Sequence, residues 1–231
     1  MKAVLLVLGC LLLVSPLATA EEDPFISQLQ KNAAAGNANA QNLLGFFYGS
    51  AQGIATDFSE AVKWLTKAAE QGQASAQYNL GVCYEKGNGV AQNPKEAIRW
   101  FTKAAEQGNA NAQANLGIRY SFSLGVTKDF KKAVMWYTKA AEQGNASAQY
   151  NLGVCYDDGL GVAQDFVTAY MWYNLAAAAN DGAAMLRDGL AEKLSPADLE
   201  RAQKIARDKA VEIEKNKAAK TEIENAAKAG K

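Results

Sequence analysis

The 231-residue sequence contains no histidine and only three cysteines. Histidine is the commonest general base in enzymes and a frequent zinc ligand, so its absence excludes Ser-His-Asp and Cys-His catalytic pairs. No serine is followed three residues later by lysine, so the Ser-x-x-Lys acylation motif is also missing. We therefore predict a protein that is not an enzyme and that holds no metal ion and no cofactor.

Neither sign of charge dominates the sequence. Lysine and arginine together number 24, as do aspartate and glutamate, so the formal net charge is zero. Proteins that bind nucleic acid carry a clear excess of basic residues on the binding domain. We predict no nucleic-acid partner.

Long hydrophobic runs are absent except at the N-terminus. Lys2 precedes an apolar run from Val4 to Val14, and Ala18-Thr19-Ala20 matches a cleavage site. This pattern predicts a signal peptide over residues 1–20 and an exported protein, either periplasmic or secreted. A transmembrane anchor is the alternative, but it needs about 20 apolar residues, and Ser15-Pro16 interrupts this run. We therefore predict no transmembrane segment.

A lipid anchor is a second alternative at the N-terminus. Val7-Leu8-Gly9-Cys10 resembles a lipoprotein box, which would leave Cys10 acylated. The apolar residues before Cys10 are few for a signal core of about 7–15 residues, and the run continues beyond it. Cleavage after Ala20 is the preferred interpretation.

The remaining sequence repeats itself every 36 residues. The period is marked by four tryptophans and by two series of glycines: Trp64, Trp100, Trp136 and Trp172; Gly45, Gly81, Gly117 and Gly153; Gly53, Gly89, Gly125 and Gly161. A fixed period of this length is typical of a repeat array whose units each contact only their neighbours. Such arrays usually present a surface to a partner.

Each unit has the pattern of two helices joined by a turn. In the second unit, Ala76, Leu80 and Tyr84 form one helical stripe. The second helix begins at Asn93 as N-cap, with Glu96 completing a capping box. Equivalent N-caps are Asp57, Asp129 and Asp165, and the helix stops are Gly72, Gly108, Gly144 and then Asn180.

The glycine within each first helix costs about 1 kcal/mol of helix propensity relative to alanine. Because Gly81 recurs at the same slot in every unit, we predict that a neighbouring helix approaches closely there. The two cysteines beyond the signal peptide, Cys83 and Cys155, occupy one slot two units apart. Adjacent helices pack at about 8–10 Å, so these cysteines are too distant for a disulfide, which requires Cα atoms within about 7 Å. We predict two free, mostly buried thiols.

The period ends after Asn180, where the sequence predicts closing helices. Residues 183–193 read as one helix, and Ser195 caps another whose apolar face is Leu199, Ala202, Ile205 and Ala206. The predicted organisation is a signal peptide (1–20), an N-terminal capping helix (21–36), repeats (37–182), closing helices (183–212) and a polar tail (213–231). We expect the tail to be a frayed helical extension or disordered.

These motifs resemble the Sel1-like repeat family, relatives of tetratricopeptide repeats. The resemblance rests on A-x-x-x-L-G-x-x-Y-x-x-G-x-G-V followed by D/N-x-x-x-A-x-x-W-x-x-K-A-A-x-x-G, and it covers residues 37–182. It implies an all-α fold, a right-handed superhelix of four helix–turn–helix repeats at about 40–75, 76–111, 112–147 and 148–183. The third unit has Ser123 where the second and fourth have Gly87 and Gly159, so we expect its turn to differ.

The resemblance also implies a protein-binding adaptor of the cell envelope. In such solenoids the first helix of each repeat lines a concave groove, where the sequence varies while framework positions repeat. The implied partner-binding residues are Phe46, Tyr78, Val82, Glu85, Lys86, Ile118, Phe122, Tyr150, Val154, Asp157 and Asp158. We expect a monomer that binds a protein or peptide, although Tyr78 and Tyr150 could instead pack internally.

Two other functions stay open at this point. One is a secreted, host-interacting factor that uses the same groove. The other is a cell-wall or β-lactam-binding hydrolase, an activity that the resemblance suggests, with Asp157 and Asp158 as its catalytic carboxylates. Asp157-Asp158-Gly159 is also faintly similar to a calcium loop, but the remaining ligands of such a loop are missing.

Overall fold

A computed structural model describes residues 24–50 and 55–229 of the chain, and this part is built from α-helices without any strand. The predicted signal peptide and Cys10 lie outside the described residues. In chain order the helices are α1 (Pro24–Ala34), α2 (Ala38–Ser50), α3 (Phe58–Glu70), α4 (Ala74–Lys86), α5 (Pro94–Glu106), α6 (Ala110–Phe122), α7 (Phe130–Ala141), α8 (Ala146–Asp158), α9 (Phe166–Ala176), α10 (Asp181–Lys193) and α11 (Pro196–Ala229). None of the described helices has an apolar stretch that could cross a bilayer.

The helices form a stack of two-helix repeats, which confirms the predicted all-α solenoid. Helices α2–α3, α4–α5, α6–α7 and α8–α9 pair within repeats, and each second helix also packs on the first helix of the next repeat. Helix α1 covers α2 at one end, while α10 and α11 cover α9 at the other. Each repeat thus buries an apolar face that it cannot cover alone.

Close packing inside each repeat explains the glycine of the first helix, as predicted. A Cβ atom placed on Gly81 would lie 2.7 Å from the ring of Phe101, and one on Gly153 would lie 2.5 Å from the ring of Tyr173. Phe101 is fully buried and Tyr173 nearly so, so neither ring has room to move away. The missing side chain is therefore what lets the two helices approach.

The predicted N-caps of the second helices are confirmed. Asp57, Asn93, Asp129 and Asp165 each accept hydrogen bonds from the first turn of their helix through the side chain. The predicted capping box is wrong, however. The Asn93 backbone N–H donates to the Tyr84 carbonyl, 2.8 Å away, and the Glu96 carboxylate pairs with Arg99 instead.

The turn of the third repeat does not differ as we expected. Ser123 adopts the left-handed conformation with φ 59° and ψ 36°, close to φ 67° and ψ 34° at Gly159. The Leu124 N–H donates to the Arg119 carbonyl, as Leu160 does to Cys155 in the next repeat. Packing therefore imposes the turn on a residue that disfavours it, while the Ser123 hydroxyl donates to the Val126 carbonyl.

Asn180 does not stop a helix, which corrects the prediction. Its φ of −150° is extended, and its side chain accepts from the Ala183 N–H as the N-cap of α10. Helix α9 ends earlier, at Ala176. The left-handed stops at Gly72, Gly108 and Gly144 are present as predicted.

The closing helices differ in part from their predicted boundaries. Ala202 and Ala206 of α11 are buried, but Ile205 is 36% exposed and does not belong to the buried face. Helix α11 continues without a break through residue 212, where we expected the closing helices to end, and Ile213 is buried. The Ser195 hydroxyl caps α11 by accepting from the Asp198 N–H.

The two cysteines are free, as predicted. Cys155 is buried, whereas Cys83 is half-buried. Burial raises the pKa of the Cys155 thiol to about 11, and the Asp158 carboxylate adds to the shift. Burial also raises the pKa of Cys83, where the Lys86 ammonium opposes the effect.

We predict that Gly81→Ala destabilises the protein because the new methyl group would overlap the Phe101 ring. Overpacking of this kind costs about 1–3 kcal/mol, and thermal unfolding followed by circular dichroism measures it. Gly189→Ala is the matched control, because a Cβ there meets nothing within 4 Å in the middle of α10. That control should gain up to about 1 kcal/mol. Equal responses of the two variants would contradict close packing at Gly81.

We predict that Cys155 resists iodoacetamide in the native protein at pH 8. Only the thiolate reacts, and with a pKa of about 11 little thiolate is present at that pH. Cys83, which is more exposed, should react faster, and both should react fully in urea. Peptide mapping by mass spectrometry distinguishes the two sites, and native labelling of Cys155 at the Cys83 rate would refute the prediction.

Candidate functional site

The first helices of the repeats lie side by side on one face of the stack. Helix α2 contacts α4, and α6 contacts α8. Side-chain amides join them: Asn79 Nδ2 donates to Asn42 Oδ1 at 3.1 Å, and Asn145 donates to Asn111 at 3.0 Å. This face contains all the residues that the sequence predicted for partner binding, and we call it the groove.

Two predicted aromatic residues of the groove are half-buried and pack within their own repeats. The Tyr78 ring lies 5.7 Å from that of Phe101, and the Tyr150 ring lies 6.1 Å from that of Tyr173, centroid to centroid. Burial raises the pKa of Tyr78, and the Glu85 carboxylate adds to the shift. The internal packing that we left open for these tyrosines is therefore present, and each residue stays partly exposed.

Phe46 and Phe122 are the exposed aromatic residues of the groove. Phe46 is 47% exposed and Phe122 is 66% exposed. The Phe46 ring contacts Phe47 edge to face, with 6.2 Å between centroids. Since large rings exposed to water are favourable anchors for a partner, these two side chains are the strongest contact candidates.

The aliphatic residues Val82, Ile118 and Val154 occupy one slot of successive repeats, and all are half-buried. Val82 lines a cavity of about 230 Å³ together with Phe46, Phe58 and Leu65. The Lys86 side chain and the Ser50 hydroxyl border the same cavity, and the hydroxyl finds no hydrogen-bond partner among the described residues. This cavity is apolar with a cationic rim.

A second, shallower cavity of about 160 Å³ lies further along the groove. Its lining combines Tyr78, Ala114 and Ile118 with the amides of Asn111, Asn115 and Asn145 and with Ser147. Carboxamide side chains both donate and accept hydrogen bonds, as a peptide backbone does. Val154 does not line either cavity and packs instead against the core under α9 and α10.

The charged residues of the groove differ in how far they are committed to internal contacts. Glu85 pairs with Arg119, 2.5 Å away, whereas Lys86 is exposed. Asp157 accepts a hydrogen bond from the Tyr173 hydroxyl at 3.3 Å. Burial and that neighbouring carboxylate raise the pKa of Tyr173. Asp158 is exposed.

Arg119 was missed as a site-shaping residue by the sequence analysis. It occupies the slot of Cys83 and Cys155, yet its side chain is only 4% exposed. It donates to Glu85, to Asn115 and to the Leu124 carbonyl, and its guanidinium lies 5.0 Å from the centre of the Phe101 ring. The sequence does contain an indication of this role, because Arg119 is a charged residue at a slot where two other repeats have a cysteine.

Within residues 24–50 and 55–229, no three cysteine, aspartate or glutamate side chains converge as a metal site would require. The arrangement instead offers cavities, exposed rings and unlike charges along one face. These are features by which protein surfaces recognise ligands through shape and hydrogen bonding.

Several comparisons with known proteins agree with this architecture. The Sel1 repeat model matches residues 38–73, 74–109, 110–145 and 146–181, together more than half of the chain. A search of curated proteins finds no significant match.

Among solved structures, the chain is similar to c5321, a protective antigen present in uropathogenic Escherichia coli strains, with 33% identity and a TM-score of 0.76. That similarity covers 88% of this chain but only 44% of the antigen, so the chain spans less than half of that relative. It is also similar to a Sel1 repeat protein from Oxalobacter formigenes, at 35% identity and a TM-score of 0.66, covering 78% of this chain and 75% of that one.

The immunity protein PA5088 from Pseudomonas aeruginosa is more distant. It shares 25% identity at a TM-score of 0.50, over 82% of this chain and 72% of its own. The family is established by the match of four repeats and by the 35% identity to the Oxalobacter protein. The chain belongs to the Sel1 repeat family.

Proposed function

We propose that the chain is an exported, non-catalytic scaffold of the cell envelope that binds a segment of another protein in the groove. The observation that carries the proposal is a contrast between framework and groove. The first helix of each repeat ends on a different kind of side chain. These residues are Ser50 with a hydroxyl, Lys86 with a positive charge, Phe122 with an aromatic ring and Asp158 with a negative charge. The next position has the same left-handed backbone at residues 87, 123 and 159.

The contrast separates folding from recognition. Three of these four positions, Lys86, Phe122 and Asp158, are exposed. A repeat that only had to stack would gain nothing from unlike side chains there. The framework glycines and alanines are instead nearly invariant along the array. A single ligand lying across all four repeats would meet a different group at each step, and this is how an ordered surface selects one partner.

The groove favours an extended segment of a particular chemistry. An apolar side chain fits the cavity beside Phe46, Phe58 and Val82, and an acidic neighbour would face Lys86. The amides around the second cavity can bond to the segment's backbone. A basic residue would then face Asp158, so the charges set the direction in which the segment lies.

The similar solved structures bear on the class of function. Their names include an antigen and an immunity protein, and neither name states a catalysed reaction. The similarity to the antigen makes a secreted, host-directed role the second candidate for the same groove. The positions of the two carboxylates give no support to the hydrolase alternative. Asp157 accepts a hydrogen bond from Tyr173, and Asp158 is exposed to solvent.

We predict that Phe46→Ser and Phe122→Ser each weaken partner binding without unfolding the protein. Both rings are exposed, so their loss removes contact area while the core stays packed; Tyr78 and Tyr150 are unsuitable because they pack on Phe101 and Tyr173. Anchor residues of an interface contribute about 2 kcal/mol or more, so the affinity should fall more than tenfold.

A photo-crosslinking amino acid at position 122 first identifies the partner by mass spectrometry from an envelope extract. Fluorescence anisotropy with the crosslinked segment as a peptide then gives the affinities. Met185→Ser is the matched control, because Met185 is 76% exposed on α10 and lies outside the groove. If this control weakens binding as much as Phe122→Ser does, the groove is not the binding site.

We predict that the mature protein begins at Glu21 and is recovered from the periplasm or the medium. The apolar segment before Ala20 and the small residues at 18–20 support cleavage there. N-terminal sequencing of the fractionated protein tests it. A lipid-modified N-terminus at Cys10 that is lost in Cys10→Ser would contradict it.

A further inference from the structure

A cleft that contains none of the predicted partner-binding residues lies between α11 and the end of α7. Its volume is about 720 Å³, within the range of about 300–1,000 Å³ that small-molecule sites occupy. The lining is polar and combines side chains of α6, α7 and α11: Ala110, Gln113, Lys139, Glu142, Gln143, Asn216, Lys217, Lys220 and Thr221.

Positive charge exceeds negative charge in this cleft. Three lysines line it against one carboxylate, that of Glu142. Glu142 is itself 3.6 Å from the Lys209 ammonium. Lys217 pairs with Glu214 at 2.8 Å. The other two ammoniums, those of Lys139 and Lys220, contact neutral groups. Their positive charges are therefore not neutralised by these contacts.

Lys220 donates to the Gln143 side-chain oxygen at 3.2 Å. The Lys139 ammonium lies 4.7 Å from the centre of the Trp136 ring. Neither lysine forms an ion pair with a carboxylate among the side chains that the structure describes. Two ammoniums from distant parts of the sequence thus face one cleft in a chain whose total charge is zero.

The lining chemistry narrows the class of ligand. Lysine is a common phosphate-binding residue that acts as a point charge, and three lysines line the cleft. The Asn216 amide can bond to hydroxyl groups, and the Thr221 oxygen can accept from one while its own hydroxyl donates to the Lys217 carbonyl. The Gln143 amide is already engaged, since it donates to Gln113 and accepts from Lys220. No aromatic or large aliphatic side chain lines it, so the cleft has no pocket for a large apolar group.

We propose that this cleft binds a small phosphorylated, hydroxyl-bearing ligand, with Lys139 and Lys220 on its phosphate groups. The phosphate belongs either to a free sugar phosphate or to a phospholipid headgroup, and the same residues serve both. The site depends on α11, whose Ile213 is buried and whose Lys217 lies against Gly144. It shares no residue with the groove and does not require the proposed function.

The repeat supplies a matched control for the test. Lys103 has the same slot as Lys139 and the same stacking on a tryptophan, with 4.4 Å from its ammonium to the Trp100 ring centre. Lys103 does not line the cleft. Comparing Lys139→Gln with Lys103→Gln therefore separates a built site from the loss of one surface charge.

Isothermal titration calorimetry of the full mature chain with glucose 1,6-bisphosphate at low salt tests the soluble arm, with glucose as the uncharged comparison. Flotation with vesicles containing phosphatidylglycerol, whose headgroup has a phosphate and free hydroxyls, tests the lipid arm. We expect binding in at least one arm, no binding of glucose, and a loss of about tenfold in Lys139→Gln and in Lys220→Gln. Lys103→Gln should bind as the parent chain does.

The calorimetry and the vesicle flotation together also identify the source of the phosphate. Binding of the soluble ligand alone points to a free sugar phosphate, and binding of the vesicles alone points to a lipid headgroup. No binding in either arm, or equal weakening by Lys103→Gln, overturns the proposal. Circular dichroism of each variant should match that of the parent, since all three lysines lie at the surface.

Discussion

The contact between the first and second helix of each repeat is the constraint on which the whole stack depends. A side chain larger than hydrogen at Gly81 would meet the Phe101 ring at 2.7 Å, and Leu65 takes the same place beside Gly45. Because interiors are close-packed, such a contact fixes the angle and separation of the two helices. Four nearly identical pairs then stack with a nearly identical step, which turns a 36-residue sequence period into a regular surface.

Buried glutamines join one repeat to the next in the same periodic way. Gln77 is 4% exposed and donates to the Ala69 carbonyl of the preceding repeat at 3.1 Å, while it accepts from Gln107 of its own repeat at 2.7 Å. A buried amide without partners is costly, so this bond tolerates little change in repeat spacing. The spacing of the repeats is thereby fixed, while exposed positions such as Phe122 and Asp158 differ from repeat to repeat.

The sequence predicted whatever depends on residues close together in the chain. The N-cap of Asp129 and the glycine stops are local, and they were placed correctly. The capping box failed because the Asn93 N–H bonds to Tyr84 on the preceding helix, which no local rule contains. The turn at Ser123 follows its neighbours rather than its own preference. The burial of Arg119 depends on Glu85, 34 positions earlier, and the cleft at α11 joins residues 77 positions apart.

The same slot can acquire a different role where the period ends. Lys103 and Lys139 have similar local sequences, and each ammonium lies over the tryptophan of its own repeat, so the contact with tryptophan does not distinguish them. Helix α11 reaches only the third and fourth repeats, and it places Lys220 near the end of α7. Lys139 therefore faces a cleft with a second ammonium, while Lys103 faces none. In an array of equal units, the ends and the elements that fold back from them are what make one unit chemically different from the others.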